Sequence, residues 1–167
     1  MLPALPEPQP SQPPSAAEHR DTRGMPDVLD RYPVPVPRTL DGVLGLRLLE
    51  AADGEARGEA RYAERLCQRF GVVHGGAYAA LAEMVATEAT MVAVWPQGET
   101  AMGMSNDTSF LSPIRSGTVH ASARALHRGA TTWVWAVEHR DDDGRLCAVS
   151  RVTIAVRRRR PEPGDSA

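Results

Sequence analysis

The chain has 167 residues, enough for one domain, and a formal charge of −2, which leaves no overall basic field to argue for a nucleic-acid partner. Its two cysteines, Cys67 and Cys147, are too few for a disulfide framework and read as reduced thiols of a cytoplasmic protein. The opening "MLPALPEPQP" lacks the basic head and unbroken apolar stretch of a secretion signal, so no export is expected.

Ten of the fourteen prolines fall at or before Pro37, and a stretch such as "PEPQPSQPPS" holds neither helix nor ladder. Residues 1–26 therefore read as a Pro-rich tail, 27–160 as the folded unit and 161–167 as a flexible end. "DVLDRYPVPV" suggests a short helix running into an extended lead. "DGVLGLRLLEA" and "GEARGEARYAE" read as paired strands across the turn "ADGE". From Gly76 the pattern becomes helical: "AYAALAEMVATEATMVAVW" has no proline or glycine and is apolar on nearly every face, the mark of a buried helix. Its acids and threonines, Glu83, Thr87, Glu88 and Thr90, argue against a membrane span. Pro96 and Gly98 stop it.

Extended segments follow. "ETAMGMSNDTSFLSP" is one strand. In "GTVHASARALH", Val119, Ala121, Ala123 and Ala125 share a side; in "TTWVWAVEHR", Trp133, Trp135 and Val137 do so, before the turn "DDDG". In "RLCAVSRVTIAVR" the shared face carries Leu146, Ala148, Val152, Ile154 and Val156. The two tryptophans read as sheet packing, while His139, at the end of its strand, adds little. His120 and His127, seven apart on a strand, face opposite sides, which argues against a shared metal. The order implies an α+β layer: an antiparallel sheet wrapped around one long central helix, whose remaining open side is covered most economically by a second copy.

Two features of this helix point to chemistry. His74-Gly75-Gly76 stands where it begins, and first-turn N–H groups with the helix dipole suit a carbonyl oxygen or an anion. The alternative is that two glycines merely make a tight corner. Glu83 is a carboxylate inside an apolar helix, a costly placement unless paired or hydrated, with no lysine or arginine one turn away. Thr87 lies one turn on and on the same face; Glu88 points elsewhere round the helix. Gly75 and Glu83 are eight positions apart, about 12 Å along a helix. They can serve one carbonyl only if they come from two chains, with antiparallel helices across a two-fold axis.

The stretch "QRFGVVHGGAYAALAEMVATEAT" resembles the hotdog-fold acyl-CoA thioesterases, in the branch related to phenylacetate-pathway enzymes and most similar to 4-hydroxybenzoyl-CoA thioesterases. The likeness extends to "YPVPVPRTLDG", "SNDTSFLSP", "TTWVWAVEHRDDDGRLCAVS" and "TIAVRRRR". The resemblance implies a hotdog fold and hydrolysis of an aromatic acyl-CoA, 4-hydroxybenzoyl-CoA by this likeness, with coenzyme A present only as part of the substrate and no other cofactor. It implies Glu83 as nucleophile or base and the Gly75 N–H as polariser of the thioester carbonyl. Gln68 would hold the thioester, His74 would stand near the leaving sulfur, and Thr87 would orient the water. Glu88 would meet the acyl ring's polar substituent, and Thr131 and Arg160 the coenzyme. Ser112 and Ala130 depart from the pattern, so Arg115 or Arg128 is expected to substitute in nucleotide binding. The homodimer with composite sites follows from the spacing of Gly75 and Glu83, and its assembly into a tetramer, a dimer of dimers, is what the likeness implies. A non-catalytic acyl-CoA-binding module on this fold is the competing reading. A hydratase would want an Asp/His pair on the central helix, and none is present.

Overall fold

In the computed structural model, which describes residues 32–52 and 54–159, the lead-in is more helical than its sequence suggests. Residues 27–31, the first half of the expected short helix, lie outside the described residues, as do the two terminal tails. Val36–Arg38 forms a 3-10 turn, and Leu40–Leu44 a short helix, α1. The expectation of a strand through "DGVLG" is corrected here. Thr39 Oγ1 accepts from the Gly42 N–H at the start of α1, and Gly45 ends it at φ 70°, in the left-handed region glycine tolerates. The strand begins only at Leu46.

Strand β1 (Leu46–Ala52) pairs antiparallel with β2 (Glu55–Arg61), with a bulge between Leu48 and Glu50. Helix α2 (Gly75–Val94) follows, continued by a 3-10 turn at Trp95–Gln97 and closed by Gly98 at φ 75°. Then come β3 (Glu99–Phe110), β4 (Thr118–Arg128), β5 (Thr132–Arg140) and β6 (Leu146–Arg158). The six strands form one antiparallel sheet in the order β1-β2-β4-β5-β6-β3, so β1 and β3 are its edges. The expected hotdog architecture is observed.

Alternation decides which side chains meet the helix. Val119, Ala121 and Ala123 of β4, Trp133, Trp135 and Val137 of β5, and Ala148, Val152, Ile154 and Val156 of β6 are buried against Leu81, Ala82, Val85 and Ala89 of α2. Small residues set the helix-to-sheet distance: a Cβ at Gly58 of β2 would stand 2.6 Å from Val85 Cγ2. Trp135 Nε1–H donates to Thr90 Oγ1 at 2.9 Å, which satisfies two buried polar groups at once. The one helix among the described residues long and apolar enough to cross a membrane is this core helix, and most of it is buried in the protein.

Candidate active site

The chain enters α2 through a pinned corner. In the loop before it, the Gln68 N–H donates to the Val72 carbonyl and the Gly71 N–H to the Gln68 carbonyl, both at 2.9 Å. The Val73 N–H bonds to Ile114 O at 3.0 Å and the His74 N–H to Leu66 O at 2.7 Å. His74 is the N-cap, its Nδ1 accepting from the Gly76 N–H at 2.8 Å. An accepting Nδ1 puts the proton of the neutral ring on Nε2, which is left as a donor. The Ala77 N–H bonds to His74 O. The Gly75 N–H, between these two, has no hydrogen-bond partner among the described residues. Gly75 lies close beneath the Phe110 ring, where a Cβ would stand 2.7 Å from it. Gln68 is exposed beside this corner. Gln68, His74 and Gly75 thus lie together at one end of the helix.

Glu83 lies about two turns further along α2, half-buried. Thr87 Oγ1–H donates to Glu83 Oε1 at 2.8 Å, so the threonine's described partner is the carboxylate itself. Edge strand β3 runs beside the helix: Phe110 lies over Gly75, Asn106 Nδ2 donates to Ala79 O at 2.9 Å, and Gly103 abuts Glu83. Glu83 therefore faces the outermost strand rather than the sheet's middle. Within one chain the structure joins Glu83 to Thr87, and His74 to Gly75 and Gln68, but it keeps the two groups apart on a single continuous helix.

Glu88, expected from its position round the helix to point away, has a specific setting. Tyr32, fifty-six residues earlier, donates its hydroxyl to Glu88 Oε2 at 3.2 Å. Burial pushes the Glu88 carboxyl up to about 7; Tyr32 opposes this, while the nearby Asp41 and Glu83 carboxylates add to it. Asp41 is raised too, mainly by burial and then by Glu83, and Tyr32 sits well above its usual value for want of solvent and because of Glu88. Three carboxyls and a phenol thus share one electrostatic neighbourhood on α2 and the lead-in segment.

The residues matched to the coenzyme lie elsewhere. Thr131 is exposed in the turn between β4 and β5, where its carbonyl accepts from Arg157 Nη1 at 2.8 Å. Arg128 in the same region stacks over Trp133 at 4.6 Å, and Arg159 over Trp95 at 3.9 Å. Arg160 lies outside the described residues. Since β5 places Trp135 against Thr90 and His139 against Tyr78, this turn belongs to the C-terminal end of α2. Arg115, beside Ile114, is at the other end, with the length of β4 between it and Arg128. Of the two expected substitutes for the missing contacts, Arg128 accompanies Thr131, and Arg115 and Ser112 accompany His74.

His139, set aside in the sequence, is fully buried. Its Nε2 lies 3.2 Å from Ser150 Oγ, and Ser150 is 2.8 Å from Thr108 Oγ1, which donates to Asn106 Oδ1. This chain ends on the α2 backbone through Asn106. Burial lowers the His139 pKa to about 4, so the ring is neutral at physiological pH. Its Nδ1 and the neighbouring Tyr78 hydroxyl are buried without a partner among the described residues. The signal was available: the alternation that sends Trp133, Trp135 and Val137 inward reaches 139 next.

Residues 70–148 match the thioesterase superfamily. A 1,4-dihydroxy-2-naphthoyl-CoA hydrolase of Listeria monocytogenes is 31% identical over 121 residues, 72% of this chain and 98% of the relative. A solved thioesterase variant from Pseudomonas aeruginosa superposes with a TM-score of 0.71 at 30% identity, covering 80% of this chain and 96% of that one. A solved thioesterase of Haemophilus influenzae gives 0.70 at 29% identity, covering 75% and 87%.

Proposed function

The chain belongs to the thioesterase superfamily, and from that premise we propose that it hydrolyses a hydroxylated aromatic acyl-CoA, 4-hydroxybenzoyl-CoA in the first instance, to the free acid and coenzyme A. That it is a thioester hydrolase of the hotdog fold follows from the family; the acyl group and the residue roles are our reading. The observation that carries it is Glu83, a half-buried carboxylate bonded by Thr87, on the helix whose first turn leaves the Gly75 N–H unpaired among the described residues.

A thioester carbonyl is electrophilic and its thiolate leaves readily, so one carboxylate and one polarising donor suffice. Glu83 attacks the carbonyl or draws a proton from water. The Gly75 N–H, at the positive end of the helix dipole, receives the developing oxyanion. His74 Nε2–H faces the leaving sulfur and Gln68 steadies the thioester; Thr87 holds the acid, and through it the water. Glu88, its pKa raised to about 7, hydrogen-bonds a phenolic hydroxyl of the acyl ring. The hydroxylated ring in the Listeria relative's name supports this class of acyl group, and makes 1,4-dihydroxy-2-naphthoyl-CoA the second substrate to try.

Since Gly75 and Glu83 are about 12 Å apart on one helix, the reading requires two copies with antiparallel helices, each giving its acid to the other's glycine corner. Edge strand β3 is the seam: Met102, Met104, Phe110 and Leu111 on it or just beyond are exposed, an apolar strip on a strand paired on one side only, to β6. Thr131 and the nearby arginines, together with Arg160, reach the nucleotide in the tetramer implied by family likeness. We place the reaction in the cytoplasm, where Cys67 and Cys147 remain the free thiols seen here.

The test is purified protein with a panel of 4-hydroxybenzoyl-, benzoyl-, dihydroxynaphthoyl- and straight-chain acyl-CoA, following free thiol. Full activity of Glu83→Ala rejects the chemistry, and activity on alkyl chains alone rejects the substrate. A strictly monomeric active species in light scattering rejects the composite site.

A further inference from the structure

Gly103 occupies an unusual place in β3. The register between β3 and β6 shifts just after it, between Gly103 and Ser105. A Cβ at position 103 would stand 2.6 Å from Glu83 Oε1 and 3.4 Å from Cδ and Cγ, so its three nearest neighbours all belong to Glu83. The same Oε1 accepts the Thr87 hydroxyl at 2.8 Å. The carboxylate is therefore bounded on one side by its own helix and on the other by bare β3 backbone.

We propose that Gly103 is a positioning residue for the thioesterase reaction, its missing side chain forming the notch in which the Glu83 carboxylate is seated; this rests on Glu83 being the reacting acid. Glycine inside a strand is unfavourable, because it costs backbone entropy and offers nothing to pack. Here a specific neighbour uses the vacancy. The shift of register beside it marks where the strand departs from regular pairing to pass the helix, a common use of a bulge near a site.

The direction of the collision decides what a substitution does. The atoms in the way are the far end of a flexible side chain, not backbone. Alanine at 103 is accommodated by swinging the carboxylate out of its present seat, while β3 and α2 stay where they are. Contacts under 3.0 Å are not sustained and ordinary contact begins at 3.4 Å, so the oxygen must retreat from its present 2.6 Å, by 0.8 Å to regain ordinary contact. A displacement near 1 Å at a reacting group costs about a hundredfold in rate. The loss falls on turnover and leaves substrate binding and folding nearly untouched.

The experiment is a double-substitution cycle, read by thiol release from whichever aroyl-CoA the native protein turns over. Gly103→Ala is expected to lower kcat by about a hundredfold, with KM and melting temperature close to those of the native protein. Glu83→Asp shortens the acid by one methylene and withdraws it from the notch. In the combined variant the loss is therefore expected to be clearly smaller than the product of the two single losses. Unchanged kcat in Gly103→Ala, or losses that simply multiply, overturns the proposal. If Gly103→Ala does not fold, the same cycle is read by thermal melting with Glu83→Ala: recovered folding supports the notch, and continued failure rejects it. Glu83→Gln separates the two levels. An inactive Glu83→Gln beside an unimpaired Gly103→Ala removes the notch and keeps the acid, whereas a fully active Glu83→Gln removes both.

Discussion

The two long sides of α2 are built on different terms. Toward β5 the helix presents Thr90 and Tyr78 to Trp135 and His139, in a fully enclosed layer where Trp135 Nε1 is hydrogen-bonded to Thr90. Toward β3 it presents Glu83, Thr87 and the Gly75 corner to a strand exposed at every residue from Met102 to Asp107. One helix thus carries a side that fixes the fold and a side that leaves polar groups available. Substitutions on the first side are expected to move stability, and those on the second to move turnover.

The sharpest way to break this division is Glu83→Gln. Loss of the carboxylate is expected to lower kcat by about 10³-fold with little change in melting temperature; steady-state thiol release and a thermal melt check both halves. The counterpart on the enclosed side is the titration of His139. Its folded pKa of about 4 lies below the ordinary 6.5, so the stability it contributes is complete above pH 6.5 and is lost as pH falls from there to 4. The loss is expected to reach about 3 kcal/mol, and His139→Gln should flatten that slope in urea unfolding measured between pH 4 and 7.

A smaller effect is expected from Thr87→Val. Removing the hydroxyl that bonds Glu83 Oε1 should cost about tenfold in kcat, the worth of one hydrogen bond to a charged group. Thr87→Ser should restore most of it. The smallest comes from Glu88, which belongs to neither side. Its folded pKa of about 7 lies above the usual carboxylate value, so stability is complete below pH 4.5 and falls as pH rises through 7. Glu88→Gln should therefore raise the melting temperature relative to native protein at pH 8, and by less at pH 5.

Local patterns made most of this architecture legible. A helix apolar on every face could only be central, and alternation in β4, β5 and β6 named the residues beneath it. The short helix at Leu40–Leu44 escaped because five residues carry too little periodicity to separate helix from strand; its cap Thr39 and stop Gly45 were the readable marks. At the site, Glu83 stood out by its cost, and Thr87 by its one-turn spacing. The contact of Tyr32 with Glu88 spans fifty-six residues and leaves no local trace. Gly103 lay between, for a glycine interrupting a strand is a visible oddity, yet only the fold tells which neighbour fills the gap.

The two margins of the sheet are unequal. β1 is seven residues long, kinked at Leu48/Glu50, with Arg47 and Glu50 already engaged by Glu59 and Arg57 on β2; β3 is twelve residues long, with bare methionines. A ribbon with one adhesive border and one inert border can be joined only once along its width. In the proposed dimer, growth would stop at that first pairing, giving the molecule a neighbour without making it the seed of a fibre.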